Sequence, residues 1–308
     1  MEKILITPRS FAKTNDAPKK LLESAGYELV VNPYGTILSK EQMTENIADV
    51  AGIIVGVDPL DAEVLAAAKK LRAIAKYGVG TDNIDLDAAK QRGLPVSITR
   101  GANSNAVADY AFALIMACAR RLTVVNDMCH AKNWKKIVVG DVYGKTVGIL
   151  GLGAIGKGVA KRAQGFDMKV LAYDIYWDEA YAKANNIEKA TPEEIYAQCD
   201  FISLHMPLTD ETRNMVDAKA FASMKKGTVL VNTARGGLID EAALIAALRD
   251  GTLAGAGIDA FNEEPPANDE LYKLENLIMG SHCGASTTGA SEAMSMMAAQ
   301  NLIEDLKK

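Results

Sequence analysis

Three polar residues lie shortly after apolar, strand-like runs, and their side chains are suited to act on a small acid. Arg235 follows the run TVLVN, Glu264 lies after LAGAGID, and His282 follows NLIMG. A guanidinium can hold a carboxylate through two N–H donors, and an imidazole can give and take a proton near neutral pH. A carboxylate touching that imidazole raises its pKa by roughly 1–3 units. Glu264 is preferred for this part, with its neighbour Glu263 as the open alternative.

The chain has three histidines, and their positions relative to the strand-like runs separate them. In open α/β sheets, ligands bind beyond the carboxyl ends of the strands. His205 and His282 both end apolar runs, whereas His130 lies in a polar, irregular segment and is interpreted as solvated or interfacial. His205 leads into Met206 and Pro207, which fits either a loop packed on a cofactor or a buried histidine bonded to backbone. We therefore expect His282 to transfer the proton.

A glycine-rich turn indicates a dinucleotide. The run TVGIL leads directly into Gly151, Gly153 and Gly156, spaced as G-x-G-x-x-G, and a helical pattern follows. Such glycines allow a tight turn, close approach of backbone to a pyrophosphate, and close packing of helix on strand. The next strand-like run, KVLAY, ends at Asp174. An acid at that position binds ribose hydroxyls and repels a 2′-phosphate, which predicts NAD rather than NADP.

Parallel strands are needed to position these groups, and the rest of the sequence has the matching pattern. Strand-like runs alternate with helical patterns in two series, the second of which begins at Thr146. The runs of the first series are Ile4–Ile6, Tyr27–Val31, Ala51–Val55, Arg72–Lys76 and Pro95–Ile98. Those of the second series are TVGIL, KVLAY, FISLH, TVLVN, LAGAGID and NLIMG. This alternation predicts an α/β protein with parallel sheets.

Two helices and an irregular segment accompany the second series. An Ala-rich helix is predicted from Ser104 to Leu122, and a helix from Glu292 is expected to return to the first domain. Residues 123–145 have mixed periodicity and carry apolar side chains, among them Trp134 and Val138. Long irregular segments in compact proteins are usually functional or cover a partner subunit. We interpret this one as a dimerisation arm; the alternative is an arm packed on its own domain.

Composition narrows the class of protein further. With 308 residues the chain exceeds one usual core, so two domains are expected. It is 49% hydrophobic but only 6% aromatic, which suits Val- and Ile-rich strands covered by Ala- and Leu-rich helices. A net charge of −5 gives no general attraction for nucleic acid or anionic lipid. The N-terminal apolar run is too short for a signal peptide, so a cytoplasmic protein without a membrane partner is expected. The four cysteines lack C-x-x-C spacing and are expected to be reduced.

Together these motifs resemble the D-isomer-specific 2-hydroxyacid dehydrogenase family, and more narrowly its phosphoglycerate dehydrogenase-like members. The matching stretches cover most of the chain in family order, and jointly they are highly specific. They are residues 76–85 (KYGVGTDNID), 101–104 (GANS), the glycine motif, 231–236 (VNTARG), 257–265 (GIDAFNEEP) and 282–287 (HCGAST).

The resemblance implies two Rossmann- or flavodoxin-like, doubly wound parallel-sheet domains with a cleft between them. A substrate-binding domain would comprise 1–102 plus 286–308, and an NAD-binding domain would comprise 103–285, including the dimerisation arm of a homodimer. The implied enzyme is an oxidoreductase that moves hydride between NAD(H) and a small anionic 2-hydroxy or 2-oxo acid. Its substrate is best matched to D-3-phosphoglycerate, with hydroxypyruvate, glyoxylate or another 2-oxo acid as the alternative.

The resemblance also implies roles for individual residues, and none of them is a metal ligand. Arg235 would bind the substrate carboxylate, His282 would be the acid and base, and Glu264 its partner. The implied cofactor-binding residues are Gly151, Gly153, Ala154, Ile155, Gly156, Asp174, His205, Met206, Pro207, Thr233, Ala234, Asp259 and Gly284. The resemblance also implies that Tyr77, Gly78, Val79 and Gly80 bind the substrate acid. The last three of these residues would do so through their backbone N–H groups.

The substrate is where this sequence departs from its relatives. Phosphoglycerate-specific members tend to carry a basic residue in the loop after the third strand, which here reads Gly56-Val57-Asp58-Pro59. Lys76 and Arg100 are the candidates to replace that charge in binding substrate; ordinary surface roles are the alternative for both. A function of another class is also open, because NAD(H)-gated corepressors share this architecture. No low-complexity tail or peptide-binding insertion supports that alternative.

Overall fold

A computed structural model describes residues 1–308, and the chain divides into two compact units. One unit comprises Met1–Asn103 and Ser286–Lys308, and the other comprises Ser104–Ala285. The two units hold a five-stranded and a seven-stranded sheet, and every strand pair is parallel. The α/β class with two parallel sheets is therefore confirmed.

The first part of the chain alternates strands and helices. Its strands are β1 (Glu2–Ile6), β2 (Tyr27–Val31), β3 (Gly52–Val55), β4 (Ala73–Lys76) and β5 (Val96–Ile98). Its helices are α1 (Ala17–Ser24), α2 (Lys40–Ile47), α3 (Ala62–Ala67) and α4 (Leu86–Gln91). Ser39, Asp61 and Asp85 precede α2, α3 and α4, and their side chains accept backbone N–H groups of the first turn, which fixes where these helices begin.

The second unit begins with two helices and then alternates again. The helices are α5 (Ser104–Ala119), α6 (Leu122–His130), α7 (Ala154–Gln164), α8 (Glu179–Ala184), α9 (Pro192–Gln198), α10 (Ala218–Ser223) and α11 (Glu241–Asp250). The strands are β6 (Thr146–Leu150), β7 (Lys169–Tyr173), β8 (Ile187–Lys189), β9 (Phe201–Leu204), β10 (Thr228–Asn232), β11 (Leu253–Ile258) and β12 (Leu277–Met279). The last helix, α12 (Thr288–Leu306), belongs to the first unit.

The first sheet has the strand order β2-β1-β3-β4-β5, the flavodoxin-like doubly wound order. Because side chains alternate across a strand, β1 sends Ile4 and Ile6 to one face and Leu5 to the other, and all three are buried. Ile4 and Ile6 pack in one cluster with Leu302 of α12, whereas Leu5 packs in another with Ile47 of α2. Helices therefore cover both faces of this sheet.

The helix α12 completes the core of the first unit from the far end of the sequence. Its Ala298 and Leu302 are fully buried. At Gly52, the first residue of β3, a Cβ would lie 3.1 Å from Leu306 and 3.2 Å from Leu302, so the missing side chain lets the helix lie close to the sheet. The helix begins at Thr288 rather than at Glu292, because the Thr287 side chain accepts the N–H of Ala290.

The second sheet has the order β12-β11-β10-β9-β6-β7-β8. From β6 the chain builds outward through β7 and β8, and from β9 it builds outward on the other side. The order reverses between β6 and β9, which is the Rossmann arrangement, and ligands bind beyond the carboxyl ends of the strands at such a reversal. The residues that follow β6 and β9 are therefore the first place to look for a cofactor.

Three further details differ from the sequence prediction. The Ala-rich helix α5 ends at Ala119 rather than Leu122, and Arg121 adopts a left-handed backbone with φ of 45°. The expected arm starts as the regular helix α6, none of whose residues is buried. Strand β8 was not predicted, because only Ile187 of its three residues is buried and no alternation marks it.

All four cysteines are free thiols, as expected. No helix combines the length and the apolar character that crossing a bilayer requires.

Candidate active site

The turn after β6 is shaped for close approach of a ligand. Gly151 has a φ of 101°, and a Cβ there would lie 2.6 Å from the backbone oxygen of His205. A Cβ on Gly156 would lie 2.0 Å from the oxygen of Gly151, so α7 packs directly on the turn. At Gly153, which precedes α7, the Cβ direction is open. Gly151 and Gly156 are thus required by the fold. Gly153, in contrast, leaves open space in front of the N-terminal N–H groups of α7, whose first two residues are Ala154 and Ile155.

Asp174 directly follows β7 and is tied to the same turn. Its Oδ2 accepts the N–H of Leu152 at 2.7 Å, and its Oδ1 accepts the N–H of Tyr176 at 2.8 Å. These two bonds fix the carboxylate at the carboxyl end of β7. The placement fits the ribose-binding acid that the sequence predicted.

His205 follows β9, and its backbone lies against the glycine turn at Gly151. Its Nε2 lies 2.8 Å from Ser203 Oγ, and its Nδ1 is buried without a hydrogen-bond partner. Burial lowers the pKa of His205 to about 3, so the ring carries no charge near neutral pH. Of the next two residues, Met206 is buried and Pro207 is exposed. His205 is therefore excluded as a proton donor at neutral pH, and its part here is to shape the turn.

One buried hydroxyl at this edge of the sheet has no partner in the protein. Thr233 follows β10, and its Oγ1 is buried and makes no hydrogen bond. A buried polar atom without a partner is unfavourable, so it is suited to bond a ligand. Together with the open space at Gly153 and the fixed carboxylate of Asp174, it fits a dinucleotide. The N-terminus of α7 would hold the pyrophosphate and Asp174 the ribose.

His282 and Glu264 are in direct contact, although 18 residues separate them in sequence. His282 Nδ1 lies 3.0 Å from both carboxylate oxygens of Glu264. The Glu264 carboxylate also accepts the N–H of Phe261 at 3.1 Å, which orients it. With Nδ1–H donated to Glu264, Nε2 is the ring nitrogen left to exchange a proton with a ligand. The structure therefore brings together the pair that the sequence predicted.

The backbone of His282 is held in an uncommon conformation. Its φ is 55°, in the left-handed region that few residues with a Cβ adopt. The carboxylate of the buried Asp259 accepts the N–H groups of the next two residues, Cys283 at 2.9 Å and Gly284 at 2.8 Å. Asp259 and Gly284, predicted as cofactor-binding residues, thus form the support of the turn that carries His282.

Arg235 follows β10 and lies within electrostatic range of the same pair. Its positive charge acts to lower the pKa of both His282 and Glu264, although the pKa of His282 is raised overall by its hydrogen bond to Glu264. Its position is set by Asn232, whose amide accepts the N–H of Ala234 and donates to the carbonyl of Arg235. The next residue, Gly236, would place a Cβ 2.0 Å from the backbone of Phe261, so glycine lets the Arg235 loop lie against the Glu264 loop.

The contacts shift two proton affinities in opposite directions. The hydrogen bond to Glu264 raises the pKa of His282 above its ordinary value, although burial and the charge of Arg235 oppose this. Burial acts to raise the pKa of Glu264, but the bond and the charge of His282 outweigh it and lower that pKa. Near neutral pH the carboxylate is therefore charged, and His282 keeps its second proton to a higher pH than a free imidazole would.

In the first unit, the turn after β4 offers two unpaired N–H groups rather than three. The N–H of Gly78 donates to Thr99 Oγ1 at 2.9 Å, and the N–H of Thr99 donates back to the Gly78 carbonyl. The N–H groups of Val79 and Gly80 donate to no protein group. The expectation for Gly78 is therefore corrected, because the Thr99 side chain already takes its N–H.

The candidate phosphate ligands differ in exposure. Lys76 is only 5% exposed, and its Nζ donates to the carbonyl of Gly56 and to Asn83 Oδ1 at 2.6 Å. Through these bonds Lys76 holds the loops after β3 and β4 together, and its part in binding a substrate phosphate stays a prediction. Arg100, in contrast, is exposed and forms no ion pair. The Tyr77 hydroxyl lies 2.9 Å from Ser291 Oγ and is thereby tied to α12.

The loop after β3 supplies no cation. Val57 is 60% exposed, and Asp58 is buried. Asp58 accepts the N–H of Leu38 at 2.9 Å and the hydroxyl of Thr7, so its carboxylate serves the fold. This region therefore lacks the basic residue that phosphoglycerate-specific relatives tend to carry.

Some supporting residues were missed from the sequence. Asn232 and Thr99 fix the Arg235 and Gly78 turns, and Tyr110 of α5 lies 3.3 Å from Cys283 Sγ beside the His282 turn. Asn232 ends the run TVLVN and Thr99 directly follows the run Pro95–Ile98, so that signal was available. Tyr110 had no such signal, because its partner lies 173 residues away.

A family model described as D-isomer specific 2-hydroxyacid dehydrogenase, NAD binding domain, matches residues 112–284. Over 273 residues the chain is 42% identical to a glyoxylate reductase of Korarchaeum cryptofilum (strain OPF8), which covers 86% of this chain and 82% of that protein. Over 275 residues it is 39% identical to a D-3-phosphoglycerate dehydrogenase of Pan troglodytes, covering 88% of this chain but only 51% of that protein. The crystal structure of a glyoxylate reductase from Paecilomyes thermophila matches with a TM-score of 0.88 and 32% identity, covering 100% of this chain and 96% of that chain.

Proposed function

The chain belongs to the D-isomer-specific 2-hydroxyacid dehydrogenase family and is an NAD-dependent oxidoreductase, and from this premise we propose that it reduces a small, unphosphorylated 2-oxo acid. Glyoxylate and hydroxypyruvate are the proposed substrates. The observation that carries the proposal is the contact between His282 and Glu264, with Arg235 in electrostatic range of both. This arrangement provides a proton donor and a carboxylate-binding cation at the end of the dinucleotide-binding sheet.

The proposed mechanism assigns one task to each of the three residues. When bound, NADH supplies the hydride that reduces the carbonyl carbon. Arg235 binds the substrate carboxylate through its guanidinium and keeps the carbonyl in one orientation. His282 donates the Nε2 proton to the carbonyl oxygen as that oxygen gains charge. Glu264 stays ionised, accepts from Nδ1, and stabilises the protonated ring from which the transfer starts.

The direction of the reaction sets which form of His282 is needed. Reduction starts from the protonated ring, so it is favoured below the raised pKa of His282 and fades as the pH rises through it. Oxidation of the hydroxy acid starts from the neutral ring, so it gains over the same interval. Because Glu264 raises this pKa, the pair favours reduction near neutral pH.

Three features favour an unphosphorylated substrate over the phosphoglycerate first expected. The loop after β3 has no cation, Lys76 is buried and bonded, and a glyoxylate reductase is the relative matched over most of its own length. Arg100 is the exposed cation that would be needed for a phosphate. We assign the substrate carboxylate to Arg235. On this proposal the first unit binds substrate and the second binds cofactor.

A substrate panel tests the proposal directly. The purified protein is mixed with NADH and, separately, with glyoxylate, hydroxypyruvate, pyruvate or phosphohydroxypyruvate, and NADH absorbance is followed. We expect kcat/KM to be highest for glyoxylate or hydroxypyruvate. A clear preference for phosphohydroxypyruvate, abolished in Arg100→Ala, would overturn the substrate class and leave the hydride chemistry standing. Absence of turnover with every acid would overturn the proposed function itself.

We further propose that residues 123–145 cover a second copy of this chain. No residue of α6 is buried, and large apolar side chains follow it in exposed positions. Trp134 is 81% exposed, Val138 is fully exposed and Tyr143 is 70% exposed. Such side chains, placed together on one segment, are typical of an interface. The homodimer stays a prediction, which a measurement of mass in solution tests.

A further inference from the structure

The turn that carries His282 rests on three buried or half-buried polar groups, none of which has a part in the mechanism above. They are the carboxylate of Asp259, the thiol of Cys283 and the phenol of Tyr110. Cys283 Sγ lies 3.3 Å from the Tyr110 hydroxyl and 3.6 Å from Asp259 Oδ1. Asp259 also accepts the backbone N–H groups of Cys283 and Gly284.

There is little free space around this cluster. A Cβ on Gly280 would lie 2.1 Å from Asp259 Oδ1 and 2.7 Å from the Tyr110 hydroxyl. A Cβ on Gly284 would lie 3.1 Å from Asp259 Oδ2 and 3.5 Å from the Tyr110 ring. Glycines at both ends of the turn therefore let the backbone close over the carboxylate and the phenol. A shift of either group would move the turn.

His282 needs that support because its backbone is left-handed, with a φ of 55°. This conformation is unfavourable for a residue with a Cβ, and it persists only where neighbouring bonds determine it. The Asp259 bonds fix the two residues after His282. The Tyr110 contact fixes the side chain of the first of these residues, Cys283, against α5.

We propose that Tyr110, acting through Cys283, is a positioning residue for the proton transfer. It holds the turn of residues 280–284 so that the His282 ring stays against Glu264. The proposal rests on the function assigned to His282 above. It concerns the geometry of the pair and not a contact of Tyr110 with substrate or cofactor.

The expected consequence is a change in the proton affinity of His282. The charged groups that face His282 are Glu264, Arg235 and Asp259, each of which shifts its pKa. When the turn relaxes, the short contact with Glu264 lengthens, while the opposing effect of Arg235 remains. Tyr110→Phe should therefore lower the pKa of His282.

Histidine-selective NMR measures this without any substrate. The chain has only three histidines, and buried His205 does not titrate near neutral pH, so the His282 signal can be assigned by one His130→Gln variant. We expect the His282 midpoint to move down in Tyr110→Phe. Tyr196→Phe is the control, since Tyr196 is a buried tyrosine of the same unit with one hydroxyl contact, to the Met215 carbonyl at 3.2 Å. An unchanged midpoint in Tyr110→Phe would overturn the proposal.

A double-mutant cycle tests the path through Cys283. Tyr110→Phe and Cys283→Ala should each lower kcat/KM for reduction by roughly threefold to tenfold, and the double variant should be no worse than either, as for residues in one contact. Cys283→Ser keeps a donor and should restore the wild-type midpoint. Additive losses in the double variant would contradict the proposed path.

If Tyr110→Phe does not fold, the comparison of Cys283→Ala with Cys283→Ser tests the proposal through the titration midpoint of His282. Because the midpoint needs no turnover, the inference can be judged even if no 2-oxo acid is reduced.

Discussion

At the residue scale, the charge of His282 depends on neighbours of opposite sign. Glu264 acts to raise the pKa of His282, whereas the charge of Arg235 acts to lower it. The proton affinity of the ring therefore depends on both neighbours, and Arg235 is also the residue assigned to bind the substrate carboxylate. A carboxylate substrate on Arg235 would cancel part of the opposing charge. We therefore expect His282 to hold its proton more strongly once substrate binds, at the point where the proton is needed.

Replacing Glu264 by Gln is expected to move the pH dependence of reduction to lower pH. The amide keeps an acceptor for Nδ1–H but removes the charge that raises the His282 pKa. Reduction requires the protonated ring, so activity is full below this pKa and is lost as the pH rises through it. The variant should lose activity at a lower pH than the wild type. The pH profile of kcat/KM for NADH-dependent reduction is the measurement.

Glu263→Gln is the matched control for that change. Glu263 is the exposed neighbour that the sequence alone left open for the same part. Its replacement should leave the profile unchanged. Equal shifts in the two variants would mean that general surface charge, and not the contact at 3.0 Å, sets the pKa.

Arg235→Lys is expected to weaken substrate binding and turnover although the charge is kept. A lysine cannot hold a carboxylate through two parallel N–H donors. Loss of one charge-assisted hydrogen bond costs about 2 kcal/mol, which is roughly thirtyfold in kcat/KM. Steady-state kinetics on the best acid of the panel measures it. Arg249→Lys, which alters a surface pair with Glu270, is the control, and parity of the two variants would remove Arg235 from its assigned part.

Sequence reasoning found the charged residues of the site but not the bonds that fix them. Arg235, Glu264 and His282 could be predicted because strand ends converge at one edge of a parallel sheet. The use of the Gly78 N–H could not, since it depends on the rotamer of Thr99, which follows another strand. The hydrogen bonds of Lys76 could not be predicted for a similar reason. A lysine at a strand end is usually exposed, and nothing local indicates that Gly56 and Asn83 enclose it.

At the element scale, the glycine motif combines two different requirements in six residues. Gly151 and Gly156 allow the strand, the turn and α7 to pack, because side chains there would meet backbone oxygens of His205 and Gly151. Gly153 meets no protein atom, so its small size serves only what binds in front of the helix. Folding and cofactor binding can therefore be separated by substitution within one motif.

Gly153→Ala and Gly156→Ala should differ in which property they lose. Gly153→Ala should fold with a near-wild-type Tm and bind NADH more weakly, because its Cβ enters open space. Gly156→Ala should be destabilised by about 3 kcal/mol or more, since its Cβ would overlap the Gly151 oxygen, despite the usual helix preference for alanine. Thermal unfolding and NADH titration separate them. Similar Tm values for both would contradict the division of roles.

The elements themselves were largely predictable, and the exceptions have local causes. The strands of both sheets follow runs of buried apolar residues, which alternation with helices made recognisable. The break between α5 and α6 was not recognisable, because Arg121 adopts a left-handed backbone without the glycine or asparagine that usually marks one. Strand β8 was missed since one buried residue gives no pattern.

At the scale of the whole molecule, the enzyme class was predictable and the substrate was not. The motifs of both units identified the family, which the matched family model confirms, and this supports an enzyme over the NAD(H)-gated interaction protein. On our proposal, substrate choice depends on a few side chains near the carboxyl ends of β3, β4 and β5. Whether Lys76 and Arg100 are available there depends on burial, which the sequence does not give.

The dimer prediction is also tested on the whole molecule. Val138→Glu places a charge on a fully exposed apolar position of the segment 123–145. If that segment is an interface, the dissociation constant of the dimer should rise by about a hundredfold, because the substitution would bury an unpaired charge there. Sedimentation equilibrium measures it. Ile37→Glu, at an exposed apolar position of the first unit, is the control, and a monomeric wild type would refute the interface.

The return of α12 to the first sheet has a consequence for the order of events during synthesis. Ile4, Ile6 and Ile54 need α12 as their cover, yet that helix leaves the ribosome after all the other helices and strands described here. The second unit, Ser104–Ala285, is continuous and has emerged by then. The unit whose synthesis begins first is therefore completed only after the other unit has emerged, and until then a chaperone would find its apolar sheet face open.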